Sequence, residues 1–141
     1  EDADAIATRL AAYAGPIEST RTLAALVLRA KGLRPGHRQE GSGDLHPAAR
    51  TFQALRIAVN GEDDQLAALL RDLPWILKPG GRVAIITFHS GEARRVAASF
   101  SAEREAGRYA LPAEAPIGPT TEEVFANPRA RSARLHRAVR L

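Results

Sequence analysis

The sequence predicts an α/β protein. Residues 82–88, RVAIITF, form a mostly apolar run rich in β-branched side chains, the pattern of a strand buried on both faces of a parallel sheet. Helical periodicity precedes this run and resumes over residues 90–107. A strand between two helices is the repeating unit of a doubly wound α/β sheet. At 141 residues and 45% hydrophobic composition, the chain can bury the core of one ordinary domain.

Two helices are predicted before this unit. Residues 2–15 carry apolar side chains at helical spacing and end on a Gly-Pro pair. A second helix takes Ser19 or Thr20 as its N-cap and ends near Gly32. Residues 33–44 are rich in glycine and charge without periodicity, which predicts a mobile surface loop.

Residues 46–60, HPAARTFQALRIAVN, predict a third helix. Phe52, Leu55 and Val59 fall at i, i+3 and i+7, which predicts one packed apolar stripe. The same helix carries more polar side chains than a core element needs: His46, Arg50, Thr51, Gln53, Arg56 and Asn60. These side chains are candidates for a binding surface.

The next helix, from Glu62, carries a leucine stripe and Pro74, which is expected to kink or interrupt it. The KPGG sequence at 78–81 predicts a turn into the strand. In open α/β sheets ligands bind at the carboxyl ends of strands, and Phe88, His89 and Ser90 follow the strand.

His89 and Ser90 are pocket candidates with alternative roles. Ser90 also occupies the N-cap position of the following helix, where its hydroxyl would accept backbone N–H groups. His89 is a base, a donor to a substrate or a rim residue, and no partner acid or nucleophile that would make a hydrolase triad stands nearby in the sequence.

The C-terminal stretch is less regular. Residues 108–113 predict a strand, and Thr120 with Glu123 has the spacing of a capping box at a short helix. Residues 132–141 alternate in a way that fits either an edge strand or a basic helix.

Composition bounds the function. The chain has 20 Lys and Arg against 16 Asp and Glu, a net charge of +4, and nearly all of its cations are arginine. Arginine suits phosphate recognition, which favours a nucleic-acid partner; a GC-rich genome would produce the same enrichment. With no cysteine, disulfides and thiolate metal sites are excluded. His37, His46, His89 and His136 lack the spacing of a metal-ligand motif, so no metal is predicted.

No apolar run approaches the roughly 20 residues that span a bilayer, so we expect a cytoplasmic protein without a membrane partner. No glycine-rich phosphate loop follows the strand, so no cofactor-binding residues are predicted in this chain. The sequence begins within an apparent helix, and we expect it to be a fragment.

Three segments resemble the RsmH/MraW family, the S-adenosylmethionine-dependent methyltransferases that modify the N4 amine of a cytosine in small-subunit rRNA. They are LHPAARTFQALRIAVN, LKPGGRVAIITFHS and PTTEEVFANPRARSARL, at residues 45–60, 77–90 and 119–135. The resemblance covers nearly the whole chain but only the C-terminal part of the family's protein.

The resemblance implies the C-terminal half of a Rossmann-like class I methyltransferase domain plus helices from an inserted helical subdomain. Residues 1–44 would end that subdomain, and residues 45–141 would belong to the catalytic domain. Residues 82–88 would be the fifth strand, and the tail would supply the last two strands, which favours a strand at 132–141. S-adenosylmethionine would be bound mainly by an absent N-terminal part.

The implied activity is methyl transfer to small-subunit rRNA, either free or in the ribosomal subunit. An N-terminal half or a homodimer partner would complete the enzyme. Arg50 and Arg56 would contact RNA phosphate or hold the helix, or else pair with neighbouring acids. The other residues implied to shape the substrate surface are His46, Thr51, Gln53, Asn60, Phe88 and His89. The alternative is a non-catalytic arginine-rich fragment that binds RNA or is purely structural.

Two departures from the family pattern bear on these expectations. Gly91 and Ala93 stand where the family usually has Leu and Asp. An Asp three residues after Ser90 would complete a reciprocal cap, so its loss is expected to weaken the helix start by about 0.5 to 1 kcal/mol. Arg134 and His136 stand where the family tends to have Lys and Arg, so the basic character is expected to survive.

Overall fold

The computed structural model describes residues 2–34, 46–110 and 116–141, and the chain divides into two compact units, residues 1–60 and 61–141. The α/β prediction is confirmed: the described residues form helices and one small antiparallel sheet. Most of the loop predicted at 33–44, with His37 and Arg38, lies outside the described residues. The predicted domain boundary after residue 44 remains a prediction.

The first unit contains the helices α1 (Asp2–Ala11), α2 (Thr20–Ala30) and α3 (Ala49–Asn60). Ile6, Val27 and Ala48 form its buried centre. Of the two predicted candidates, Ser19 and Thr20, Ser19 is the N-cap of α2, because its Oγ accepts the backbone N–H of Thr22 at 3.1 Å. The unit is therefore held by one shared apolar cluster and a capped α2.

The apolar stripe predicted on α3 is only partly formed. Phe52 packs against the cluster around Val27, whereas Leu55 is 40% exposed and Val59 is 83% exposed. The predicted burial of Val59 is wrong because the buried centre of this unit includes Ala48, just before α3, and contacts Phe52 in the first turn of the helix. The second half of α3 projects apolar surface outward.

The second unit contains α4 (Glu62–Ile76), β1 (Arg82–Thr87), α5 (Ser90–Glu105), β2 (Tyr109–Ala110), α6 (Thr121–Ala126), a 3₁₀ helix (Pro128–Ser132) and β3 (Arg134–Arg140). The tail is a strand, as the resemblance favoured, and not a basic helix. Thr120 caps α6 as predicted, with its Oγ1 accepting the N–H of Glu123 at 3.1 Å.

The sheet has the order β1-β3-β2 with both pairings antiparallel. Burial on both faces of a parallel sheet is wrong for β1, whose residues alternate and whose Ile86 is 58% exposed. Among the described residues β3 is the only strand beside β1, and the helices cover one face. That face holds the core of the unit, which comprises Leu70, Val96, Phe100, Tyr109 and Ala138.

The start of β1 is fixed by contacts with Arg140. Helix α4 runs through Pro74 to Ile76, so of the two predicted effects of Pro74 the interruption is wrong, and the kink remains a prediction. The Pro74 carbonyl accepts the Nε–H of Arg140 at 3.0 Å. The turn predicted before β1 is confirmed: the Gly80 N–H donates to the Arg140 carbonyl at 2.7 Å. Gly80 has φ of 78°, a conformation that favours glycine.

Candidate functional site

The β1 turn, residues 87–92, lies where the sequence placed the pocket. His89 is the N-cap of α5: its Nδ1 accepts the Glu92 N–H at 3.3 Å. The Glu92 carboxylate accepts the N–H groups of Phe88 at 2.9 Å and His89 at 3.4 Å. The prediction that Ser90 is the N-cap is wrong, because β1 ends at Thr87 and the cap moves one residue towards the N-terminus.

The shifted cap also overturns the expected weakening of α5. Glu92 completes a capping box with His89, so an acid at position 93 is not needed for one. Gly91 contributes as well: a Cβ atom at this position would lie 3.1 Å from Nδ1 and 3.2 Å from Cε1 of His89. The absence of a side chain at 91 therefore leaves room for the imidazole to cap the helix.

The partners of His89 restrict its chemistry. Because Nδ1 accepts a hydrogen bond, the neutral ring carries its proton on Nε2, which lies 3.1 Å from Glu92 Oε1. Glu92 thus engages both ring nitrogens, and His89 acts as a base only if the cap opens. The surface offered at this turn is the Phe88 ring, 56% exposed, and the exposed Ser90.

Sequence reasoning missed a buried polar pair at the base of this turn. His136 Nε2 lies 3.2 Å from Thr87 Oγ1, and the two side chains are 4% and 2% exposed. Thr87 Oγ1 donates to the Arg134 carbonyl at 3.4 Å, which leaves its oxygen to accept from the Nε2–H of His136. The only signal of this pair in the sequence was one polar residue on the inward side of each of the two strands, β1 and β3.

Burial lowers the pKa of His136 below its ordinary value of 6.5. The imidazole is therefore favoured in its neutral form. Arg134 keeps the expected basic character as an exposed cation, but His136 does not replace the charge of the family's usual arginine.

This burial predicts a pH dependence of stability. The lowered pKa of folded His136 means that the unfolded chain binds the proton more tightly, so the contribution of His136 is complete above pH 6.5. It is lost as the pH falls from 6.5 through the folded pKa. The free energy of unfolding is measured in urea at about pH 7.5 and about pH 5.5. It should fall less between these two pH values for His136→Gln than for the unchanged chain. A matched variant, His46→Gln at an exposed histidine, should retain the full loss; equal losses in all three chains would contradict the assignment to His136.

The first unit contains a second candidate site, called here the α1–α3 groove, with a volume of about 660 Å³. Its floor is apolar and includes Ile6, Leu10 and Leu55. Its polar lining consists of Asp2, Lys31, Arg50 and Thr51. Lys31 Nζ and Asp2 Oδ2 form an ion pair of 3.1 Å, a partnership between distant residues that no local sequence pattern predicted. The groove combines cations with an apolar floor.

The polar residues predicted on α3 do not all share one face. Arg50 and Thr51 line the groove. At 3.6 residues per turn, Gln53, Arg56 and Asn60 lie on nearly the opposite side of the helix. His46 precedes α3, where its Nδ1 accepts the Ala48 N–H at 3.2 Å. The structure therefore brings two of these predicted residues together at the groove.

In the predicted alternative, Arg50 and Arg56 pair with neighbouring acids. The structure gives a different result for each of the two residues. Within residues 2–34, 46–110 and 116–141, Arg50 has no ion-pair partner. Arg56 does have an interaction of its own.

With this geometry in place, the chain can be compared with known proteins. A family model described as the MraW methylase family matches residues 2–141. The chain belongs to the MraW methylase family. The three segments that resembled this family form α3, the β1 turn with β1, and the region from α6 into β3.

Several similar proteins carry the name of an rRNA methyltransferase. A protein of Methylobacterium nodulans called ribosomal RNA small subunit methyltransferase H is 47% identical over 137 aligned positions, which cover 86% of this chain and 39% of that protein. Proteins of the same name from Nitrobacter winogradskyi and Rhodopirellula baltica are 43% and 53% identical, over 89% and 70% of this chain and 40% and 29% of those proteins. The chain spans about two fifths or less of the length of these relatives.

The described residues contain no group of three or more His, Cys, Asp or Glu side chains arranged to hold a metal ion. No helix among the described residues is long and apolar enough to cross a membrane. Neither finding separates one member of the family from another.

Proposed function

We propose that this chain forms the C-terminal part of an enzyme that transfers a methyl group from S-adenosylmethionine to the N4 amine of a cytosine in small-subunit rRNA. The observation that carries this proposal is the family match over residues 2–141. The name of the relatives, ribosomal RNA small subunit methyltransferase H, supports the substrate class. Such an enzyme would act in the cytoplasm on rRNA or on the ribosomal subunit.

The proposed fold of the whole enzyme is a Rossmann-like class I methyltransferase domain with an inserted helical subdomain. In this proposal β1 is the fifth strand, and β2 and β3 are the last two. The edge of β1 that does not face β3 has no partner strand among the described residues, and Ile86 is exposed beside it. An unpaired edge with exposed apolar residues is suited to receive further strands. A homodimer partner remains a prediction.

The described residues do not fit a site for S-adenosylmethionine. The turn after β1 is committed to helix capping by His89 and Glu92. A nucleotide-like group is usually held by a glycine-rich loop after a strand, and the turn after β1 is not such a loop. We therefore propose that the methyl donor is bound mainly by other parts of the enzyme, and calorimetric titration of this chain with S-adenosylmethionine should show no binding.

The proposed contribution of this chain is to hold and orient the RNA. The N4 amine of cytosine is a poor nucleophile because its lone pair is delocalised into the ring, so the base must be positioned in line with the methyl group. A base inside a stack has to be turned out to reach such a site. The exposed Phe88 ring at the β1 turn is placed to contact a displaced base, beside His89 and Ser90.

Arg50 and Thr51 in the α1–α3 groove are proposed to contact the RNA backbone, and Arg56, Gln53 and Asn60 are proposed to contact it from the opposite side of α3. The double variant Arg50→Gln/Arg56→Gln should bind single-stranded RNA more weakly and with a shallower salt dependence, because each lost phosphate contact removes about 0.7 unit from the slope of log affinity against log salt. The measurement is fluorescence anisotropy of a labelled oligonucleotide across a salt series.

A matched control exists in the same unit, since Arg9 and Arg29 are exposed arginines on α1 and α2. The control Arg9→Gln/Arg29→Gln removes the same formal charge and should leave the salt slope nearly unchanged. Equal slopes for both double variants would remove Arg50 and Arg56 from the RNA interface.

The alternative is a non-catalytic RNA-binding or structural fragment. The exposed arginines and the unsuitable cofactor site favour it for the isolated chain. Methyl transfer to rRNA by an enzyme assembled with this chain would support the methyltransferase proposal. No transfer by such an enzyme would support the non-catalytic alternative.

A further inference from the structure

The segment NPRARS, residues 127–132, belongs neither to the β1 turn nor to the α1–α3 groove. It forms the end of α6 and the following 3₁₀ helix. Asn127 joins the two elements: its N–H donates to the Glu123 carbonyl at 2.8 Å, and its Oδ1 accepts the Arg129 N–H at 3.3 Å. The junction is therefore a fixed local structure.

The side chains around this junction divide sharply by exposure. Ala130 is 6% exposed and points inward, whereas Phe125 is 90% exposed. In a 3₁₀ helix adjacent residues lie about 120° apart, so Arg129 and Arg131 flank the buried Ala130 on its two sides. Both arginines are exposed. In the part of the chain that the structure describes, neither guanidinium has an ion-pair partner.

The charge around the junction favours an anionic partner. From residue 127 to the C-terminal Leu141 the sequence contains five arginines and no Asp or Glu. Arg134 uses its Nη1 to donate to the carbonyls of Ala133 and Arg131, which supports the local backbone. Arg129 and Arg131 are left to meet a ligand. An exposed aromatic ring beside cations matches the chemistry of single-stranded nucleic acid: bases stack on the ring, and phosphates pair with arginine.

We propose that Phe125, Arg129 and Arg131 form a second contact site for single-stranded RNA. Phe125 stacks on one unpaired base, and the two arginines bind the flanking phosphates. This inference rests on the proposed function for the class of its ligand, but it uses residues separate from the β1 turn and from the α1–α3 groove.

The test measures binding of the full 141-residue chain to labelled single-stranded and double-stranded RNA oligonucleotides by anisotropy. Phe125→Ala should weaken single-strand binding by roughly tenfold, in line with the loss of one stacked base, and should leave duplex binding unchanged. Phe125→Tyr should retain the affinity, whereas Phe125→Leu should behave like Phe125→Ala. Because the ring is almost fully exposed, circular dichroism should show the same fold for all three variants.

Arg129 and Arg131 are tested by the slope of log affinity for single-stranded RNA against log salt concentration. Arg129→Gln/Arg131→Gln should reduce the magnitude of this slope by about 1.4, and the control Arg71→Gln/Arg104→Gln, at exposed arginines of α4 and α5, should leave it unchanged. A slope equal to that of the control, or equal single-strand affinity for Phe125→Ala and the unchanged chain, would overturn the site.

The outcome also separates this inference from the proposed function. If the slope changes for Arg50→Gln/Arg56→Gln but not for Arg129→Gln/Arg131→Gln, the second contact site is wrong. The proposal that rRNA is the substrate is then unaffected. If the Phe125 and arginine variants behave as expected but an assembled enzyme transfers no methyl group to rRNA, the second site stands and the proposed activity fails.

Discussion

Replacing Phe100 with alanine is expected to lower the free energy of unfolding of the second unit by about 3 to 5 kcal/mol. Phe100 is 4% exposed in the core cluster and meets Tyr109 edge to face, with ring centroids 5.6 Å apart. Truncation removes this contact and leaves a cavity among α5, β2 and β3. Urea unfolding followed by circular dichroism measures the change.

Phe125→Ala is the matched control, because it removes the same atoms from a ring that is 90% exposed. Its cost should stay within about 0.5 kcal/mol. Similar losses for the two substitutions would mean that Phe100 does not lie in the core of the second unit, and the packing of α5 on the sheet would have to be revised.

Replacing Glu92 with alanine is expected to cost about 1 to 2 kcal/mol and to loosen the β1 turn. The carboxylate is the acceptor for the N–H groups of Phe88 and His89 and the partner of His89 Nε2. Without it these donors return to solvent. Urea unfolding measures the cost, and amide hydrogen exchange at Phe88 and His89 should become faster.

Two variants of α5 sharpen this expectation. Glu92→Gln should recover part of the stability, because glutamine also serves in a capping box. Glu105→Ala removes an exposed carboxylate from the last turn of the same helix and should not destabilise it, since acids are unfavourable at helix C-termini. Unchanged exchange rates in Glu92→Ala would show that the β1 turn does not depend on the capping box.

Much of the fold could be predicted from the sequence because local patterns decide it. The Ser19 cap, the Thr120 cap and the strand at residues 82–87 each follow from residue types within a few positions. The alternating pattern of β3 also fitted a helix, so the local sequence did not decide its structure. Its pairing with β1 over six residues shows that it is a strand. The prediction of a fully buried β1 failed because burial depends on neighbours distant in sequence.

The candidate site shows a second limit of sequence reasoning. A strand boundary that lies one residue earlier than predicted moves the helix cap from Ser90 to His89 and turns Glu92 into its partner. The Thr87–His136 pair and the Asp2–Lys31 pair join residues far apart in sequence. The sequence located the β1 turn correctly, but only the structure assigned its histidine a capping role.

The central claim is that this chain supplies the C-terminal part of an rRNA methyltransferase. The most direct measurement replaces the matched segment of the Methylobacterium nodulans methyltransferase with this chain and analyses small-subunit rRNA for N4-methylcytidine by mass spectrometry. The unaltered relative is the control. We predict that the chimera restores the modified nucleoside; a chimera that folds and binds S-adenosylmethionine but leaves the rRNA unmethylated would contradict the claim.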